Sequence, residues 1–240
     1  MKSNIKCLVV VIAMGMGLMM PMKSAFADFY DLESLTAQWW QWALSIPTSV
    51  NPLLENQIPG QTPDPVGECV IGQHGSIWFL AGYFNGATKV TRTCSVPQGT
   101  SLFFPVINSV NINTPGICGQ VGNISAKDLR ASIAGWIDAA TNLLVTVDHK
   151  KFVNFLRIKS NVFEVALPKN NVFWNSGNSC TPPAPPLEGI YSPSVDDGYY
   201  MMLDPLKVGQ HTLHIHAESP AGTVVQDITY SITVVPVLLK

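Results

Sequence analysis

The chain contains few charged residues: Lys, Arg, Asp and Glu make up 12% of its 240 residues, against ~25% in an ordinary soluble domain. It also lacks a cluster of basic residues, which disfavours nucleic acid and anionic membrane surfaces as partners. The catalytic patterns Gly-x-Ser-x-Gly and His-Glu-x-x-His are absent, and so is a glycine-rich phosphate loop. These absences favour a binding or structural role over an enzymatic one.

The first 27 residues have the pattern of an export signal. Lys2 and Lys6 precede an apolar run, Leu8–Met20, and the segment Ala25–Ala27 supplies the small-x-small pattern of a cleavage site. An uncleaved anchor is the alternative, but a spanning helix needs ~20 apolar residues and this run is shorter. We therefore predict cleavage before Asp28, export to the periplasm or the medium, and no transmembrane segment in the mature chain.

Four cysteines follow the signal: Cys69, Cys94, Cys118 and Cys180. An even number in an exported chain predicts two disulfide bonds. Of the three possible pairings, Cys69–Cys94 with Cys118–Cys180 keeps both bridges local. A zinc site is the alternative, and the absence of Cys-x-x-Cys spacing disfavours it. We expect residues 28–240 to form one disulfide-bonded domain.

Two segments have the apolar period of a helix. Phe29–Pro47 has an apolar residue every three or four positions, Asp31 as a cap and a terminating proline. Ser125–Thr141 begins with Ser125 and Asp128, an acidic variant of the capping box. Both segments predict helices that pack on a sheet.

The stretch with the densest β-branched and apolar content contains three strand-like runs. These are Ser76–Tyr83, Lys89–Val96 and Thr100–Ile107, and the Asn85-Gly86 pair between the first two is a hairpin signal. They predict a meander. Because Pro105 has no N–H to donate, the third strand should lie at an edge or break there.

Further strands are predicted towards the C-terminus. The pair Asp148-His149 separates two of them, and His tolerates the positive φ of a tight turn. A long segment, 168–197, is predicted to be irregular. The predicted strands are Leu143–Val147, Phe152–Ile158, Val162–Leu167, Gly198–Leu203, His211–Glu218 and Asp227–Val235. The predicted fold is mainly β: an antiparallel, jelly-roll-like β-sandwich with two packed α-helices.

His214 and His216 alternate on one predicted strand, so both imidazoles should point to the same face. Such a pair can present two ligands to zinc or copper. The alternative is a polar sheet face on which both rings are hydrogen-bonded to neighbours, with no cofactor. A third ligand would have to come from His74, Asp64, Glu68 or Asp227.

Several aromatic residues fall outside the regular apolar pattern and are candidates for a ligand-binding surface: Trp40, Trp174, Tyr191 and Tyr200. With the long Asn/Pro/Gly loops, they would suit a small molecule, a glycan or another envelope protein. The alternative is that these side chains belong to the core of the sandwich.

Four segments, WWQWALSIP, GQHGSIWFLAG, RTCSVPQGTSLFFPVIN and DGYYMMLDPLKVGQHTLHIHA, resemble those of uncharacterised exported bacterial proteins. The resemblance implies one continuous exported domain and brings no activity with it. We therefore expect an exported, non-catalytic binding or envelope-associated β-sandwich protein of unknown ligand. The alternative is a metal-binding protein or a metal-dependent enzyme that uses His214 and His216.

Overall fold

A computed structural model describes residues 31–54, 68–84, 89–117, 119–175, 188–219 and 222–237. The predicted signal, the Asn85-Gly86 turn and the predicted Cys118–Cys180 bridge lie outside these ranges. Among the described residues, no helix is both long and apolar enough to cross a membrane.

Helix α1 (Leu32–Ser45) begins where the capping signal predicts. The Asp31 carboxylate accepts a hydrogen bond from the backbone N–H of Ser34 at 3.3 Å, which satisfies one of the free donors of the first turn. The helix is buried beyond the predicted apolar stripe, since Trp40 and Leu44 are buried as well. It is therefore covered on more than one side.

Helix α2 (Ala126–Asp138) also confirms its prediction. Ser125 caps it and accepts a hydrogen bond from the backbone N–H of Asp128 at 3.2 Å. The helix ends earlier than predicted, because a strand begins at Thr141. A single-turn helix, α3 (Val172–Asn175), follows later in the chain.

The described strands form two sheets. In chain order they are β1 (Ile77–Phe79), β2 (Val90–Pro97), β3 (Ser101–Ile112), β4 (Thr141–Val147), β5 (Lys150–Phe152), β6 (Leu156–Lys159), β7 (Phe163–Leu167), β8 (Gly189–Leu203), β9 (Gly209–Glu218) and β10 (Val224–Val235). The first sheet has the order β1-β3-β8-β6, with β7 on the other half of β8. The second sheet has the order β2-β10-β9-β4-β5.

The predicted β-sandwich with two helices is confirmed, although its sheets are mixed. The pairs β1–β3 and β2–β10 are parallel, and the other pairs are antiparallel. One apolar core, with Phe104, Ile215 and Tyr230, lies between the sheets. A second core, with Trp39 and Phe103, lies between α1 and the first sheet. The molecule therefore has three layers: α1, the first sheet and the second sheet.

The predicted meander of the first three strands is wrong. Strands β1 and β3 are parallel neighbours in the first sheet, whereas β2 joins β10 in the second sheet. Alternation and turn residues indicate that a run is extended, but they do not say which strand it pairs with. The partner of β2 lies more than a hundred residues away, and only tertiary packing selects it.

Pro105 marks a break in β3, as its missing N–H predicts. The register with β8 shifts between Pro105 and Ile107, which is a β-bulge. Beside the bulge, at the pair Asn108–Gly198, the two backbones lie close together. A Cβ placed on Gly198 would lie 2.5 Å from Cβ of Asn108 and 2.8 Å from the carbonyl oxygen of Ile107. Only glycine fits at that position.

Two strand predictions fail where a strand passes from one sheet to the other or continues through a proline. The run predicted as one strand, Phe152–Ile158, is divided between β5 in the second sheet and β6 in the first. The segment predicted as irregular forms the first half of β8 from Gly189 onwards, with Pro193 at a register shift against β7. Pairing with β3 and β7 supplies the hydrogen bonds that local sequence does not predict.

Two local predictions are confirmed. Asp148 and His149 have φ values of 49° and 66°, so they form the tight turn between β4 and β5. Cys69 and Cys94 are joined by a disulfide bond, with a Cα–Cα distance of 5.6 Å. The bond attaches the segment before β1 to the edge strand β2.

Candidate functional site

A buried carboxyl group lies between α1 and the first sheet. The indole N–H of Trp40 donates to Oδ1 of Asp196 at 2.7 Å, and the hydroxyl of Tyr200 donates to the same oxygen at 2.8 Å. The side-chain amide of Asn108 donates to the Tyr200 hydroxyl at 2.9 Å. Three elements, α1, β3 and β8, therefore meet at one acid.

Burial raises the pKa of Asp196 to about 8. The hydrogen bonds from Trp40 and Tyr200 act in the opposite direction, and the charge of neighbouring Asp197 adds to the rise. At neutral pH the Asp196 carboxyl is therefore mainly protonated. Burial, followed by the proximity of Asp196, also raises the pKa of Tyr200 well above its ordinary value.

Asp197, the next residue, points to the opposite face of the sheet. Its carboxylate accepts hydrogen bonds from Nε of Arg157 at 2.9 Å and from Nη2 at 2.8 Å. Arg157 also pairs with Asp138 of α2, and the Asp197 hydrogen bond is the largest cause of its raised pKa. Asp196 and Asp197 point apart because they are adjacent residues of an extended strand, β8, in the segment predicted as irregular.

The Asp196 group is closed to ligands. The residue has 0% exposure, and Trp40 and Tyr200 are 4% and 1% exposed. The expectation that these two aromatic residues lie at a binding surface is therefore wrong, because both point into the layer between α1 and the sheet. Their role is to hold α1 on β8 through a shared hydrogen-bond acceptor.

Of the other two predicted surface aromatics, Tyr191 is half-buried against the same core. Burial raises its pKa. The backbone of Trp174 belongs to α3, and its side chain lies outside the described part of the chain. A binding surface is therefore contradicted at Trp40 and Tyr200, whereas its extension to Tyr191 and Trp174 stays a prediction.

The outward side of α1 borders an open groove. The groove lies between α1 and β7 and has a volume of about 480 Å³, within the ~300–1,000 Å³ of ligand pockets. Nine residues line it: Ser34, Ala37, Gln38, Gln41, Asn161, Val162, Phe163, Glu164 and Ser192. We call it the α1–β7 groove. No pattern in the sequence indicated it, because its walls are more than a hundred residues apart in the chain.

Hydrogen bonds fix both walls of the groove. The Gln41 amide donates to the backbone carbonyl of Glu164 at 2.9 Å, which ties α1 to β7. The Asn161 amide donates to the Ser34 hydroxyl at 2.9 Å and to Asp31 at 3.3 Å. Both contacts use the N–H groups of the amides, so the amide oxygens remain available as acceptors.

His214 and His216 lie on the outer face of the second sheet, with ring centroids 6.3 Å apart. Each ring already has a carboxylate partner: Nε2 of His214 lies 2.7 Å from Asp227, and Nε2 of His216 lies 3.3 Å from Glu218. Both rings are half-buried. This arrangement matches the hydrogen-bonded sheet face that was the alternative to a metal site.

No group of three metal-ligating side chains is found among the described residues. Of the predicted third ligands, Asp227 does contact His214. His74 instead forms a bridge with Ile77, at the start of β1 in the first sheet. Asp64 and the side chain of Glu68 lie outside the described part.

The same outer face carries polar side chains in register across the second sheet. One row runs directly from strand to strand, from β5 through β4, β9 and β10 to β2, and consists of Lys151, Thr146, His214, Thr229 and Thr91. Antiparallel sheets often leave one polar face in solvent. The alternation in β2, β9 and β10 could have predicted this face, although not its register.

No protein-family model, curated protein or solved structure matches the chain. The class of protein is therefore defined by its own geometry: a two-sheet β-sandwich with one face covered by a helix, a sealed acid beneath that helix and an open polar groove beside it.

Proposed function

We propose that the chain is an exported, non-catalytic binding protein whose ligand occupies the α1–β7 groove. The observation that carries this proposal is the groove itself. It has a ligand-sized volume, and its walls combine side-chain amides, hydroxyls and a carboxylate. Such convergent polar groups provide orientation and specificity in binding sites.

Export is supported by two features of different kinds. The N-terminal segment has the charge and apolar pattern of a signal. The Cys69–Cys94 bond lies within the folded chain, and structural disulfides persist mainly in oxidising compartments. The periplasm and the extracellular medium both satisfy this condition.

Binding without turnover is supported by the distribution of acids. Hydrolysis of a glycosidic bond ordinarily needs two carboxyl groups on either side of the scissile bond. Among the nine lining residues, Glu164 is the one with a carboxyl group. The acid with the most strongly raised pKa, Asp196, lies beneath α1 at 0% exposure and cannot reach a ligand.

The test is a thermal-shift screen of the mature, oxidised protein against neutral sugars, amino acids, dipeptides and organic acids. The groove variant is Gln38→Ala with Glu164→Ala, which changes one exposed residue on each wall. The matched control is Gln210→Ala with Asp204→Ala, which removes an amide and an acid from exposed positions elsewhere.

A compound that raises the Tm of the native protein and the control, but not of the groove variant, supports the proposal. Saturating ligand at a hundredfold excess over Kd stabilises the folded state by about 2.7 kcal/mol, which is a measurable shift. A compound that raises the Tm of the groove variant as much as that of the native protein would show that the ligand binds elsewhere. Conversion of a hit to product, followed by mass spectrometry, would overturn the non-catalytic role.

A further inference from the structure

We infer that the ligand class of the α1–β7 groove is an uncharged oligosaccharide. This inference rests on the proposed function, since it names the ligand of the same groove. Three properties of the groove favour this ligand class: its charge, its hydrogen-bonding groups and its shape.

Charge disfavours an anionic ligand. No Lys, Arg or His is among the lining residues, and Glu164 contributes the one ionisable group. A phosphate, sulfate or uronic acid would have no cation to pair with and would face a carboxylate. Since the other polar lining groups are uncharged amides and hydroxyls, an uncharged ligand fits the groove better than a cation does.

The hydrogen-bonding groups match sugar hydroxyls, which both donate and accept. Three amides line the groove, and each offers an acceptor oxygen and donor N–H groups. Gln38, Glu164 and Ser192 have no side-chain partner within the described part of the chain. Gln41 and Asn161 donate to protein groups at 2.9 Å and keep their amide oxygens. Donors and acceptors are therefore mixed along both walls.

An apolar contact is also present. The side chain of Val162 is 55% exposed and lies beside Phe163, which is 8% exposed. A sugar ring has an apolar C–H face as well as a rim of hydroxyls, and Val162 can pack against that face. The groove thus offers both kinds of contact within one surface.

The shape favours an extended ligand over a single sugar. The groove opens broadly to solvent, whereas pockets for small ligands bury ~70–90% of the ligand surface. An open groove contacts one side of its ligand only. Several linked units are therefore needed to make enough contacts.

A peptide is the main alternative, and the backbone of β7 argues against it. Peptides often bind by adding a strand to a free sheet edge. Here α1 packs against β7, and the backbone carbonyl of Glu164 already accepts a hydrogen bond from Gln41. Main-chain pairing is therefore obstructed at Glu164, while the Glu164 side chain remains available.

The experiment is isothermal titration of the mature protein with defined oligomers. The neutral probes are cellohexaose, maltohexaose, xylohexaose and hexa-N-acetylchitohexaose. The charged probes are hexagalacturonate and the chitosan hexamer, and the peptide probe is a pool of unstructured hexapeptides. The variants are Gln38→Ala with Gln41→Ala, and Gln210→Ala as the control at an exposed position of the second sheet.

We expect at least one neutral hexamer to bind, with an affinity that is insensitive to salt because no ion pair is formed. The loss of two amides should weaken binding about tenfold, and the control should bind as the native protein does. No binding of any neutral hexamer at millimolar concentration would overturn the inference.

Two other outcomes separate the inference from the proposed function. If only a charged oligomer or a peptide binds, and Gln38→Ala with Gln41→Ala weakens its binding, the ligand class is wrong and the groove remains the binding site. If a hexamer binds equally well to the native protein and to the Gln38→Ala, Gln41→Ala variant, both the ligand class and the site are wrong.

Discussion

The two outer faces of the sandwich differ in how far their polar side chains are exposed to solvent. On the first sheet, α1 covers the face, and Asp196 is buried with neutral donors around it. On the second sheet the face is open, and both His214 and His216 have carboxylate partners in half-exposed positions. Covering a sheet removes water from a buried acid, which raises the pKa of Asp196, whereas an open face leaves its histidine–carboxylate hydrogen bonds in contact with solvent.

The largest loss of stability should come from deleting an α1 side chain that covers the first sheet. Trp40→Ala deletes a side chain that is 4% exposed and leaves Asp196 with one donor fewer. We expect a loss of about 3–5 kcal/mol in the free energy of unfolding, measured by urea denaturation. The control is Trp136→Ala on α2, where the side chain is 38% exposed. An equal loss of unfolding free energy in Trp40→Ala and Trp136→Ala would show that the covered face contributes no more to stability than an exposed one.

The next effect is on the pH dependence of stability. The pKa of Asp196 is about 8 in the folded protein, against an ordinary value of 3.8. The folded state therefore keeps a proton that the unfolded chain releases. Stability falls as pH rises between these values, with a slope of up to about 1.4 kcal/mol per pH unit.

Asp196→Asn removes this titration, so the variant should gain stability relative to the native protein as pH rises from 5 to 8. The measurement is urea denaturation across that range. The control is Asp204→Asn, which changes an exposed acid. Parallel pH profiles of native protein and Asp196→Asn would show that Asp196 is not protonated in the folded state.

A smaller effect is expected at the bulge that positions Asn108. Gly198→Ala would place a Cβ 2.5 Å from Cβ of Asn108, so β3 and β8 must separate. Overpacking of this kind costs about 1–3 kcal/mol, to be measured by thermal and urea unfolding. Gly135→Ala on α2, where nothing lies within 4 Å of the added Cβ, is the control and should not destabilise. Unchanged stability of Gly198→Ala would refute the close approach.

The smallest effect concerns a histidine of the second sheet. Nδ1 of His211 lies 2.7 Å from Asp148, and this contact raises the His211 pKa while it lowers the Asp148 pKa. The stabilisation is present below pH ~6.5 and is lost as pH rises through the raised His211 pKa. It also weakens in strong acid, when Asp148 is protonated.

Asp148→Asn should therefore lower the His211 pKa, observed by NMR titration of the imidazole, because the charged partner is lost. The Asp148 side chain is 51% exposed, so the cost in stability at pH 5 should be under about 1 kcal/mol. At pH 9 the cost should be smaller, because the imidazole is then neutral and only uncharged donors, His211 and the backbone N–H of Thr212, contact Asp148. A His211 titration that is identical in variant and native protein would contradict the pairing.

Features that depend on neighbouring residues could be predicted from the sequence. Caps at Asp31 and Ser125 mark the starts of both long helices, and Pro105 marks a bulge. The Asp148-His149 turn follows from the φ angles that each residue tolerates. The candidate site could not be predicted in this way, since Gln38 and Glu164 line a common groove only after α1 packs on β7.

The sequence by itself determined that both long helices form, where they are capped and where β3 is broken, and it favoured the Cys69–Cys94 pairing. These features follow from steric limits and hydrogen bonds within a few residues, or from the local closure of a loop. Only the tertiary structure decided that β2 joins β10, that Trp40 is buried on Asp196, and that a groove opens beside α1. The physical reason is that burial and strand pairing are properties of contacts between distant segments, and the free energy of those contacts is absent from any single stretch of chain.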